Sequence, residues 1–156
     1  LIQQVATGLA THPDAGIATA CVRIREAAEI FDPNAVKVTR DAQGYALYFS
    51  RAPIPWHREA FRGNGSASAE PPVDGTWFRH IGLYAYRVAV LRRYPDLAPA
   101  PAERTESLEQ LRALWHGIRI YVAEAVEIPP SGVDTEADLA RLATEWERSG
   151  QQIESG

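Results

Sequence analysis

Leu1, Ile2, Val5 and Leu9 recur at helical spacing and predict a helix that ends before the His12-Pro13-Asp14 turn. Gly16 to Ile24 (GIATACVRI) is mostly small or apolar and predicts a buried strand. Arg25 to Phe31 reads as a short helical turn stopped by Asp32-Pro33-Asn34. Two runs rich in Val, Tyr and Phe follow, Ala35 to Arg40 and Tyr45 to Ser50. They flank Asp41-Ala42-Gln43-Gly44, a hairpin signal. From Ala52 to Thr76 the chain turns to Pro, Gly, Ser and Ala, which predicts a mobile surface loop or a lid. Phe78 to Tyr86 resumes as a strand, Val88 to Tyr94 as a short helix, and Pro95 to Pro101 as a proline-rich elbow. Ser107 to His116 predicts a helix, opened by a Ser107/Gln110 capping box and ended at Gly117. Alternation over Ile118 to Val126 predicts a strand, and Leu139, Leu142, Ala143 and Trp146 share one face of a last helix. Strands separated by helices, with one hairpin, give an α/β layered domain around a mixed sheet.

Composition narrows this picture. With 156 residues the chain holds one ordinary domain, and 46% hydrophobic against 23% charged residues is a globular mix. A net charge of −4 and a pI near 5.6 argue against a general nucleic-acid binder, which needs a basic face, but leave room for a local anion pocket. Lys37 is the only lysine beside fifteen arginines, and arginine suits bidentate carboxylate and phosphate recognition. The single cysteine, Cys21, has no partner for an internal disulfide and fits a reducing compartment, the cytoplasm. No apolar run has the length to cross a bilayer, and no signal peptide opens the chain. No methionine occurs and Leu1 enters directly into a helical pattern, so the chain reads as part of a longer protein.

Several residues could carry chemistry. Gly132-Val133-Asp134-Thr135 lies between a strand and a helix, where Asp134 reads equally as a turn and cap residue or as a magnesium ligand. His80 and Tyr84, four residues apart in an apolar strand, fall on one face. They suit either a buried, hydrogen-bonded histidine or a polar pair lining a cleft. Glu109 and Gln110 sit on the first turns of a helix whose Leu108 and Leu111 face the core, as a solvated face, a cap or ligand contacts. Arg51 and Arg58 bracket the rigid Pro53-Ile54-Pro55-Trp56 elbow, a possible anion clamp beside the loop. Neither a Walker-type loop nor a GxGxxG sequence occurs, and no Ser-His-Asp arrangement stands out. The residues alone lead to a small-anion pocket in an α/β domain.

Five stretches in order, DPNAVKV (32–38), GYALYFSRAPIPW (44–56), RHIGLYAYR (79–87), ESLEQLRALWHG (106–117) and GVDTEADL (132–139), resemble the C-terminal part of the CMP-Kdo synthetases, the 3-deoxy-manno-octulosonate cytidylyltransferases. The resemblance implies a nucleotide-diphospho-sugar transferase-like fold, a Rossmann-like three-layer sandwich incomplete at its N-terminus. Residues 1–148 would form the sugar-binding and dimerisation half, with a frayed tail over 149–156. It implies CTP as nucleotide donor, Mg²⁺ as cofactor, Kdo as acceptor, CMP-Kdo and pyrophosphate as products for lipopolysaccharide assembly, and a cytoplasmic homodimer. By resemblance Asp134 is the metal ligand, and Arg51, Arg58, His80, Tyr84, Glu109 and Gln110 bind the sugar. His57 takes no role. The family's glycine-containing nucleotide loop and second metal-binding aspartate have no counterpart here, so this chain alone is expected to be inactive. Two other readings remain: a cytidylyltransferase for another acidic sugar, such as sialic acid or an 8-amino Kdo analogue, and a non-catalytic interaction module of the same fold.

Overall fold

A computed structural model describes residues 1–61 and 76–127, together with Ala140, Ala143 and Trp146. The chain divides into two compact units, Leu1–Val126 and Glu127–Gly156. In the second unit Ala140, Ala143 and Trp146 are helical, within the last helix expected from the sequence.

Among the described residues of the first unit, the order is α1 (Ile2–Thr11), β1 (Ile17–Arg23), α2 (Ala27–Phe31), β2 (Lys37–Arg40), β3 (Ala46–Ser50), β4 (Phe78–Tyr86), α3 (Val88–Arg93), α4 (Pro101–Glu106), α5 (Gln110–Trp115) and β5 (Ile120–Glu124). A 3₁₀ turn, Tyr94–Asp96, follows α3. The strands form one sheet in the order β3-β2-β4-β1-β5, with β1 and β5 parallel and the other pairs antiparallel. This is the mixed sheet with flanking helices that the sequence predicts.

β1 is an inner strand with helices on both faces, which is why residues 17–22 are all buried and read as an unbroken apolar run. Ala18 and Ala20 face α1, clustering with Val5, and Ile81, Leu83 and Tyr121 pack against them. Ile17 and Cys21 face the other way, onto Val38, Phe49, Leu108, Leu111, Ile120 and Val122. The small alanines let α1 approach, as does Gly8, where a Cβ would stand 3.1 Å from the Tyr121 ring. Ile2 departs from the expected apolar face: it is 75% exposed, because the buried stripe of α1 runs through Val5 and Gly8.

The DPNAVKV run has a local logic. Asp32 Oδ1 accepts the Asn34 N–H at 2.8 Å, an Asx turn that ends α2. The Asp32 carbonyl then accepts the Lys37 ammonium at 2.6 Å. Lys37 is fully buried, and burial holds its pKa below the ordinary lysine value. The chain's only lysine thus ties the turn to the start of β2.

Two further expectations need correction. Ser107 does not open a helix. It closes α4 in the left-handed conformation (φ 54°), and α5 begins only at Gln110. Pro101 at the first turn and Glu103, whose carboxylate accepts the Ala100 N–H at 3.1 Å, start α4 at the end of the predicted proline-rich elbow. Of the expected loop or lid, residues 62–75 lie outside the described residues. The part before it is anchored: Phe61 is buried with Trp77, Ile24 and Ile30 in a separate cluster. No helix of the described residues is long and apolar enough to cross a membrane.

Candidate functional site

The site grows from an irregularity between β1 and β4, two of the three inner strands. Ala18 pairs with Ala85 and Ala20 with Ile81, so the β4 segment 82–84 is accommodated opposite Thr19 alone. Carbonyls in such a bulge lose their ladder partners. Thr19, fully buried, fills the gap: its Oγ1 lies 2.9 Å from the Ile81 carbonyl, 2.8 Å from that of Leu83 and 3.0 Å from His80 Nε2. The bulge leaves His80 and Tyr84 together, with ring centroids 5.2 Å apart, as the same-face reading predicts. Sequence reasoning missed Thr19, whose signal is a lone hydroxyl in the otherwise apolar GIATAC run.

His80 is wedged between Tyr84 and the edge of Phe49, 5.0 Å away. Burial lowers its pKa to about 4, so the ring is neutral near pH 7. The Tyr84 hydroxyl is pushed up, first by burial and then by the Glu109 carboxylate, and stays a protonated donor. Tyr94 locks the start of α5 by donating its hydroxyl to the Glu109 carbonyl at 2.6 Å. Arg112 grips Glu103 with two bonds of 2.9 and 2.5 Å, bracing α5 against α4. Glu109 is exposed, whereas Gln110 is only 2% exposed and makes no hydrogen bond among the described residues. No buried side-chain nitrogen or oxygen among the described residues lacks a partner, so the Gln110 amide reaches solvent at its tip. Tyr84 therefore offers a hydroxyl donor beside a neutral imidazole.

Arg51 lies at the end of β3, where its Nε donates to the Glu106 carbonyl at 2.8 Å and an Nη to the Pro33 carbonyl at 2.9 Å. The Glu106 carboxylate accepts the Ser50 hydroxyl at 2.5 Å and the Arg51 N–H at 2.9 Å. Glu106, unassigned from sequence, thus fixes the strand end that carries Arg51. Arg58 is exposed in the turn 58–61. Asp134 lies outside the described residues. Among the described residues no group of three or more His, Cys, Asp or Glu could hold a metal ion. An open groove of about 730 Å³ lies elsewhere, lined by Arg23, Arg40, Leu47 and Phe78 among others, and includes none of the predicted site residues. Both arginines there pair with Glu124, at 3.8 and 3.6 Å.

The neutral His80 makes stability pH-dependent. The unfolded chain takes up a proton near pH 6.5, the folded one only near 4. The folded form binds fewer protons in between, so stability is unaffected above about pH 6.5. It falls progressively as the pH drops toward 4, by up to about 3 kcal/mol. Urea unfolding across that range is expected to show this slope, flattened in His80→Asn; an equal slope in the variant would contradict it.

With this geometry in place, the comparisons with known proteins become informative. The model of the cytidylyltransferase family matches residues 1–120. The chain belongs to that family. The 3-deoxy-manno-octulosonate cytidylyltransferase of Alkalilimnicola ehrlichii is 58% identical over 142 residues, covering 91% of this chain and 54% of the relative. That of Nitrosococcus oceani is 59% identical over 142 residues, with the same coverage. That of Halorhodospira halophila is 55% identical over 145 residues, 92% of this chain and 54% of its own. The solved structure of CMP:2-keto-3-deoxy-manno-octonic acid synthetase complexed with CTP superposes with a TM-score of 0.79 at 36% identity, over 95% of this chain and 56% of that one. The fold is therefore that of the nucleotide-sugar transferases. The chain spans about half the length of the curated relatives it matches.

Proposed function

We propose that this chain is the sugar-binding half of a CTP-dependent transferase that joins CMP to 3-deoxy-manno-octulosonate and releases pyrophosphate. One observation supports this above the others. His80, neutral by burial, and the protonated Tyr84 hydroxyl lie together at the β1–β4 bulge of the cytidylyltransferase fold, with the Glu109 carboxylate acting on Tyr84. A polyhydroxylated acid needs many hydrogen-bond partners and few apolar walls, and these groups provide them. Arg58 and Arg51 would meet the sugar carboxylate or nearby phosphate charge, Arg51 from the strand end that Glu106 fixes. The anomeric hydroxyl oxygen forms its bond to the α-phosphorus of CTP. The bond from that phosphorus to the bridging oxygen breaks, pyrophosphate leaves, and the hydroxyl proton passes to solvent. Little covalent help is required of the protein, whose task is alignment.

A divalent metal ion would neutralise charge on the phosphates, and Asp134 is the residue of this chain proposed to hold it. By the same resemblance the protein works as a cytoplasmic homodimer in lipopolysaccharide assembly. The test is an acceptor panel on the complete gene product with CTP and Mg²⁺. Turnover with Kdo and at least about 100-fold less with sialic acid is expected, because a site built around particular hydroxyls rejects sugars that misplace them. Comparable turnover with sialic acid would overturn the sugar assignment.

A further inference from the structure

Thr19 is the one polar side chain of the buried β1 run, and it has more neighbours than its hydroxyl can serve as a donor. A threonine hydroxyl owns one proton and two lone pairs. Two of its neighbours, the Ile81 and Leu83 carbonyls at 2.9 and 2.8 Å, can only accept. The third, His80 Nε2 at 3.0 Å, can either accept or donate, depending on the tautomer. With a bare Nε2, three acceptors would crowd around one proton, and two would face the threonine lone pairs at hydrogen-bonding distance. With a proton on Nε2, the imidazole donates to Oγ1, and Oγ1 donates to a bulge carbonyl. The first arrangement sets two acceptors against the threonine lone pairs, the second only one carbonyl, so the second is favoured.

We infer that Thr19 is a positioning residue that holds His80 in the Nε2–H tautomer, so that its Nδ1 accepts a hydrogen bond from a sugar hydroxyl. Nδ1 has no hydrogen-bond partner among the described residues, and it is not one of the sealed atoms, so it is open to a ligand. A bare imidazole nitrogen takes a proton donor and repels carboxylate and phosphate oxygens. This position of the site therefore selects a hydroxyl, and the acid group of the sugar binds elsewhere. Burial supports the assignment by keeping the ring neutral. The backbone is held too: the N–H of His80 donates to the Val36 carbonyl at 2.8 Å, which ties this point of β4 to the residue before β2. The groups facing His80 are Thr19, Phe49 and Tyr84, none of them charged at neutral pH.

The role in sugar binding rests on the proposed function, whereas the tautomer does not. The test uses the complete gene product labelled with ¹⁵N-histidine, with His80 assigned by its loss in His80→Gln. The wild type is expected to show a protonated, pyrrole-type Nε2 and a bare, pyridine-type Nδ1; a protonated Nδ1 would overturn the inference. Thr19→Val, nearly the same shape without the hydroxyl, is expected to mix the tautomers and raise KM for Kdo about 10-fold while kcat changes less than about 2-fold. Thr19→Ser restores both. An unchanged spectrum and KM in Thr19→Val would refute the positioning role. Should Thr19→Val not fold, the wild-type spectrum and Thr19→Ser decide: a protonated Nδ1 in either refutes it. A wild type that shows the expected tautomer but no Kdo-dependent turnover would sink the proposed function and leave the tautomer standing.

Discussion

Trp77→Ala is expected to destabilise the chain by about 4 kcal/mol, the loss that truncating a fully buried aromatic brings. Trp77 is 1% exposed and centres the cluster of Ile24, Ile30 and Phe61. Its ring lies 5.5 Å from that of Phe61, and its Nε1 donates to the Pro55 carbonyl at 2.8 Å. Its own carbonyl accepts the Ile24 N–H at 2.9 Å, joining the end of β1 to the start of β4. Truncation removes a large buried ring, leaves a cavity under Phe61 and strips Pro55 of its donor. Those three losses add to roughly the range measured for buried aromatics. Because this cluster is the anchor of the 55–61 segment, Arg58 should also lose its fixed place. Urea unfolding reads the change as a lower midpoint with an unchanged slope, and a loss below about 1 kcal/mol would contradict the central position of Trp77.

Asp134→Asn is expected to cut Kdo-dependent turnover of the complete gene product by about 100-fold or more while leaving its unfolding midpoint nearly unchanged. The substitution keeps the shape and replaces an anionic oxygen with an amide, so a role confined to a turn or a cap should survive it. Asparagine is as good a cap as aspartate. A metal ligand does not survive so well, since Mg²⁺ favours charged oxygen donors. Raising the Mg²⁺ concentration should recover part of the lost turnover. Unchanged turnover would remove Asp134 from the metal site, and a lowered midpoint with normal turnover would make it a cap residue.

Much of the fold was legible because its elements obey a single period. β4 runs from Phe78 to Tyr86, as its apolar run predicts, and the β2–β3 hairpin lies around Asp41-Ala42-Gln43-Gly44. Gly44 takes φ +84°, which that tight junction requires. The predicted start at Ser107 fails because Ser107 and Gln110 fit a capping box, whereas Pro101 and Glu103 start another helix that ends at Ser107. Local signals competed there, and the left-handed Ser107 let both helices form. Within the site, His80 and Tyr84 followed from strand alternation, whereas Thr19 could not, because its role depends on a bulge across 62 to 64 residues of sequence. Glu106 was hidden for the same reason: its carboxylate acts 55 residues away, on Arg51. Lys37 was visible as the lone lysine, but not its full burial.

The most direct measurement is pyrophosphate release from CTP and Mg²⁺ by the complete gene product, with and without Kdo. Release that requires Kdo is the expected result, joined to the loss of that release in Asp134→Asn. No release with Kdo present, from a folded and complete protein, would contradict the assignment of this cytidylyltransferase chain to CMP transfer onto that sugar.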